Sequence, residues 1–141
     1  VSRVKAKGLM QIIPSTARRL ASGGHKKLMN EKANTTMGVK YLLQLGEKFS
    51  GQAELVLAAY NAGPHKVEAW LKRNPNREAN PLLWNDLIPY METRDYVVSI
   101  LRNNYLYARL YGDFETEKDL FGSSLVKDLL AAKPAAADKK N

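Results

Sequence analysis

Cysteine is absent from the 141-residue chain, which rules out disulfides and thiolate catalysis without ruling out export. Histidine is scarce. His25 and His65 stand forty residues apart with no carboxylates arranged around them, so no metal site is indicated, and no phosphate loop or Ser-His-Asp pattern occurs. No apolar run approaches the ~18 residues that a membrane span requires. No basic stretch leads into the apolar segment of a signal peptide, and the first residue is Val. Acidic residues are also in deficit: 14 Asp and Glu face 22 Lys and Arg, giving a net charge of +8.

What is present fits one globular domain, because 45% hydrophobic residues in a chain of this length can form a single core. The positive field attracts polyanions in general, whether nucleic acid, anionic lipid or a carboxylate-bearing cell wall. Scattered Lys and Arg also serve solubility alone. The clusters, such as Arg18-Arg19 and His25-Lys26-Lys27, are too short to form a basic stripe with interleaved aromatics.

The apolar periodicity is helical nearly throughout. Pro14 suits a first helical turn, Ala17, Leu20 and Ala21 supply a stripe, and Gly23-Gly24 stops it. Over residues 34–49 one face carries Met37, Tyr41, Leu42, Leu45 and Phe49, with Asn34 or Thr35 as N-cap and Gly51 beyond the end. A third helix carries Leu55, Ala59 and Ala62. Gly63 then suits a left-handed C-terminal cap, and Pro64 opens a fourth helix with Val67, Trp70 and Leu71 inward. Residues 74–89, rich in Asn and Pro, read as a loop with one helical turn at 82–87. Residues 93–111 form a longer helix with little polar circumference, the pattern of a central buried element. The expected fold class is all-α: a domain over residues 1–122, followed by a basic Ala/Lys-rich tail over 123–141 that is expected to be disordered.

Three separated segments carry chemistry: Gly8-Leu9-Met10-Gln11, Ala59-Tyr60-Asn61-Ala62-Gly63 and Glu92-Thr93-Arg94-Asp95-Tyr96. The Gln11 carboxamide both donates and accepts, which suits an N-acetyl amide or a sugar hydroxyl, and Met10 offers a soft apolar surface. Tyr60 and Asn61 put a phenol and an amide side by side at a helix end. Glu92 precedes Thr93, an acceptable N-cap, and a carboxylate there gains about 0.3–1 kcal/mol from the helix dipole. Plain structural roles fit the same residues. Leu9 and Met10 suit a core, Gly8 a turn, Tyr60 a half-buried ring, Asn61 a helix end, and Tyr96 helix packing one turn on from Glu92.

In this order the three segments resemble the signature of the lytic transglycosylases, goose-lysozyme-like enzymes that cut the glycan strands of bacterial peptidoglycan. The resemblance runs over residues 2–112. It implies a lysozyme-like helical domain that binds peptidoglycan through Ser2, Met10, Gln11, Tyr60, Asn61, Glu92 and Tyr96, with Gln11, Tyr60, Asn61 and Glu92 converging on one cleft. It implies no cofactor and no metal, and a periplasmic or cell-envelope location. Ser2 matches the family serine that hydrogen-bonds the catalytic carboxylate. In the family a single glutamate protonates the glycosidic oxygen and then deprotonates the C6 hydroxyl of the N-acetylmuramic residue, which closes on its own anomeric carbon to give a 1,6-anhydro sugar. None of Glu31, Glu47, Glu54, Glu68, Glu78 or Glu92 stands at that acid's position, which falls before residue 1. No catalytic residue is therefore assigned within the chain, and a preceding segment is expected to carry it. Lys5 departs from the glycine common in the family and would bring positive charge near the cleft.

Two readings of other classes stand beside this one. A glycan-binding module would keep the groove without the acid. A basic helical protein that binds nucleic acid would show a steep salt dependence with DNA.

Overall fold

The computed structural model describes residues 5–75 and 84–111. Ser2, the residues 76–83 of the expected loop, and the expected tail at 123–141 lie outside the described residues. Among the described residues the structure is helical, with one isolated antiparallel bridge, Lys7 to Ile12, and no strand. The chain divides into two compact units, Val1–Gln44 and Leu45–Asn141.

In the first unit, α1 (Pro14–Leu20) begins on its proline, and a 3₁₀ turn (Gly24–Lys26) leads to α2 (Glu31–Lys48), which ends in the second unit. Ile12, Ala17, Leu20, Leu28, Met37 and Tyr41 form the core of this unit. The Lys40 ammonium donates to the Leu20 carbonyl at 2.9 Å, satisfying an acceptor at the end of α1. The Arg19 guanidinium lies 5.2 Å from the centre of the Tyr41 ring. Burial pushes the Tyr41 phenol pKa up, with Arg19 opposing the shift. The expected N-cap of α2 is corrected. The helix begins one turn before Asn34, and the capping side chain is Asn30, whose Oδ1 accepts the Ala33 N–H at 2.9 Å.

The second unit contains α3 (Ala53–Ala62), α4 (Pro64–Arg73), α5 (Trp84–Leu87) and α6 (Met91–Tyr111), with α3 packed on both α4 and α6, and α5 on α6. The buried helix of this unit is α3, in which Ala53, Leu55, Val56, Leu57, Ala58 and Ala59 are all inside. That corrects the expectation for α6. Val97 and Thr93 are buried, but Leu106, Tyr107, Leu110 and Tyr111 are exposed. Length explains it: at 1.5 Å per residue, the 10 residues of α3 cannot cover a helix of 21. Tyrosine also supplies apolar periodicity while its hydroxyl tolerates water. Gly63 is corrected too. Its φ of +94° comes with ψ of 143°, an extended conformation open only to glycine rather than a left-handed cap. Lys48 at the end of α2 pairs with Glu68 of α4, and this hydrogen bond is the main reason the Glu68 carboxyl pKa lies below its ordinary value.

Candidate functional site

Gly8, Leu9, Met10 and Gln11 form the tip of a tight hairpin closed by two backbone hydrogen bonds, Lys7 N–H to Ile12 at 3.1 Å and Ile12 N–H to Lys7 at 3.0 Å. The chain reverses in four residues with left-handed backbone at both ends of the tip, φ being +74° at Gly8 and +46° at Gln11. Glycine takes that conformation freely, whereas a non-glycine residue needs compensation. Gln11 has it. Its backbone N–H and its Nε2 both donate to the Gly8 carbonyl, at 3.1 and 2.8 Å. The Gln11 carboxamide, expected to offer donor and acceptor equally, thus spends one donor on its own loop.

The hairpin tip is held to α2 by a residue that local sequence patterns did not single out for this role. Asn34 is fully buried inside the helix. Its Oδ1 accepts the Met10 N–H at 2.8 Å, and its Nδ2 donates to the Lys7 and Leu28 carbonyls at 3.0 Å each. One turn along, Gly38 gives the Met10 side chain its place: a Cβ there would lie 2.6 Å from Met10 Cγ and 2.7 Å from its Cβ and Cε. A Cβ on Gly8 would likewise run into the Asn34 carboxamide and the Leu28 carbonyl. Met10 is half-buried by this contact, Gln11 is exposed, and Leu9 at the apex is 74% exposed. The available signal was the spacing of Asn34 and Gly38, two poor helix formers four residues apart on the face that carries Met37 and Tyr41.

In the second unit, Tyr60 and Asn61 occupy the last turn of α3, Tyr60 half-buried and Asn61 exposed. Glu92 is exposed in the first turn of α6. The two helix ends are joined by Thr93, which the sequence suggested as an N-cap. It lies inside α6 instead, 2% exposed, with its hydroxyl donating to Asn61 Oδ1 at 2.7 Å. Tyr96, one turn beyond Glu92, is half-buried, and burial raises its phenol pKa. Ahead of α6, Tyr90 meets Trp70 edge-on at 5.3 Å, with the Lys66 ammonium 5.7 Å from the Tyr90 ring centre. The structure thus brings Met10 and Gln11 together in one hairpin, and Tyr60, Asn61, Glu92 and Tyr96 onto two helices packed against each other.

These groups supply hydrogen-bond donors and acceptors, a carboxylate and aromatic faces, the means by which proteins hold sugars and other polyhydroxylated ligands. Among the described residues no Asp or Glu is buried, the condition that keeps a carboxyl protonated near neutral pH. No group of three or more potential metal-ligating His, Cys, Asp or Glu occurs among the described residues. Nor is any helix among them long and apolar enough to cross a membrane.

Comparison with known proteins assigns this helical chain to a family. The Transglycosylase SLT domain family matches residues 1–83. The soluble lytic murein transglycosylase of Escherichia coli K12 is 34% identical over 122 residues, which is 82% of this chain and 19% of that protein. The enzyme of the same name from Salmonella typhimurium is 33% identical over 121 residues, 81% of this chain and 19% of that protein. The membrane-bound lytic murein transglycosylase D of E. coli K12 is 34% identical over 106 residues, 71% of this chain and 23% of that protein. No solved structure matches the chain. The chain belongs to the SLT transglycosylase domain family, and it spans about a fifth of the length of the soluble relatives.

Proposed function

We propose that this chain is the glycan-binding portion of a peptidoglycan lytic transglycosylase of the cell envelope, and that the enzyme cleaves between N-acetylmuramic acid and N-acetylglucosamine to leave 1,6-anhydro ends. The observation that carries this reading is one-third identity, over four-fifths of the chain, to proteins named as soluble lytic murein transglycosylases. Ser2, Met10, Gln11, Tyr60, Asn61, Glu92 and Tyr96 are the proposed substrate contacts. Gln11 and Asn61 hydrogen-bond the sugar, Met10 and the tyrosines contact its apolar faces, and Glu92 positions it.

The acid is a glutamate in a segment ahead of residue 1. It gives its proton to the glycosidic oxygen as the C1–O bond breaks, then takes the proton of the C6 hydroxyl as that oxygen bonds to C1. No water is consumed. That no described glutamate is buried supports this assignment, since a general acid working near neutral pH needs a pKa raised by burial.

Incubation with purified sacculi, followed by mass spectrometry of the soluble products, tests it. The 141-residue chain should co-sediment with sacculi and release no anhydromuropeptides at enzymatic rates, because loss of proton donation alone costs typically ~10²–10⁴ in rate. The chain extended through its preceding segment should release them. Products with reducing ends from the extended protein would refute the transglycosylase chemistry, and failure to bind sacculi would refute the substrate.

A further inference from the structure

Asn61 is exposed at the end of α3, and an exposed carboxamide ordinarily rotates freely, presenting oxygen or NH₂ in either direction. Here it does not have that freedom. Thr93 Oγ1 lies 2.7 Å from Asn61 Oδ1, and Thr93 is 2% exposed, so this oxygen is engaged by a hydroxyl that bulk water does not reach. In this arrangement the Thr93 hydroxyl is the donor, so the carboxamide oxygen is turned toward α6. The two N–H donors of Nδ2 then face away from that bond. The residues are 32 apart in sequence, and each adjoins another proposed contact: Asn61 follows Tyr60, and Thr93 follows Glu92.

We infer that Thr93 is a positioning residue for glycan binding: its hydroxyl sets the Asn61 carboxamide so that it presents a donor, and Asn61 thereby selects an acceptor oxygen of the bound sugar, of the kind an N-acetyl carbonyl supplies. The inference rests on the proposed function for the identity of the ligand and on the Thr93–Asn61 geometry for everything else. It gives the buried threonine a task distinct from helix capping.

The test uses the 141-residue chain with tetra-N-acetylchitotetraose as probe, reading affinity by titration calorimetry and stability by thermal melting. Thr93→Val keeps shape and removes the donor, and Asn61, an exposed residue, can turn to water instead. The melting temperature should therefore stay within a few degrees of the parent. Affinity should fall about two- to tenfold, the worth of one neutral hydrogen bond to the sugar. Thr93→Ser, which keeps the hydroxyl, should restore affinity to within twofold. In the double variant Thr93→Val/Asn61→Ala, affinity should be no lower than in Asn61→Ala alone, because both changes remove the same contact.

Undiminished affinity in Thr93→Val overturns the inference while leaving the proposed function standing. So does a fall in affinity that tracks a fall in melting temperature and is not restored by Thr93→Ser, since that is the mark of a purely structural residue. A parent chain that binds neither the probe nor sacculi overturns the inference and the proposed function together.

Discussion

Replacing Asn34 tests how the Gly8–Gln11 hairpin tip is held. Asn34→Ala removes three hydrogen bonds, of 2.8, 3.0 and 3.0 Å, from a side chain with no solvent exposure. At a net ~1 kcal/mol each, and with buried backbone groups losing their partner, the expected loss is about 2–4 kcal/mol. That is a large share of the ~5–15 kcal/mol that typically holds a domain together, and it corresponds to a fall in melting temperature of about 10–15 °C. Asn34→Asp sharpens the test because it nearly preserves shape. The aspartate still accepts the Met10 N–H, but it sets a carboxylate oxygen against the Lys7 and Leu28 carbonyls where Nδ2 had donated to both. At pH 7 this variant should be no more stable than Asn34→Ala.

The sign of its pH dependence follows from the same geometry. A protonated aspartate can donate to one of the two carbonyls, so the folded state raises the pKa of Asp above its unfolded value of about 3.9. The stability is present below that value and is lost as pH rises through the folded-state pKa. Chemical denaturation from pH 3 to pH 8 reads the trend, and amide hydrogen exchange at Met10 reads the hairpin directly. Melting of Asn34→Ala within about 3 °C of the parent, or an Asn34→Asp variant as stable as the parent at pH 7, would refute the account.

Gly38→Ala should destabilise despite the ~1 kcal/mol that alanine gains in a helix interior, because the new methyl overlaps the Met10 side chain; overpacking costs ~1–3 kcal/mol, and adding Met10→Ala should recover part of the loss in a denaturant titration. The Tyr96 phenol, raised by burial, favours its neutral form in the folded state, so this contribution is lost as pH rises above the unfolded value near 10. Ultraviolet titration of Tyr96→Phe should accordingly lack one late-ionising tyrosine. Lys48→Met should lower the melting temperature slightly at pH 6. Because Glu68 has its pKa lowered by Lys48, the pair's contribution is present above the unfolded pKa and lost as pH falls through the folded one. The difference between parent and variant should therefore shrink toward pH 3, and also in high salt.

The helices were legible because their residues interact locally. The face bearing Met37, Tyr41, Leu45 and Phe49 recurs every four residues, and Pro14 and Pro64 open helices as their fixed φ and missing donor require. What misled the reading was polar residues whose partners are distant in sequence. Asn34 and Thr93 have the composition of caps, yet they bond groups 24 and 32 residues away, and no local pattern carries that information. The motif residues themselves could be picked out, and how they are held could not. The last three turns of α6 were misjudged for another reason: Tyr107 and Tyr111 stack on each other, with centroids 6.0 Å apart, along an exposed face. Their spacing is that of a buried stripe whichever side faces water.

The corner at Gly63 bears on how quietly the end of α3 is held. A helix terminus ordinarily frays, its last turn opening on the nanosecond scale because its carbonyls lack partners. Here α3 ends at Ala62 and α4 begins at Pro64, so one residue joins them. The Gly63 N–H donates back to Ala59 at 2.9 Å, while the Gly63 carbonyl accepts the Lys66 N–H at 3.2 Å. Gly63 thus closes the last turn of α3 with its N–H and the first turn of α4 with its carbonyl. Tyr60 and Asn61 stand in the last turn of a helix joined to the next by a single residue. Lengthening the corner by a single residue would return that turn to ordinary fraying, and hydrogen exchange at Asn61 and Ala62 would report it as lost protection.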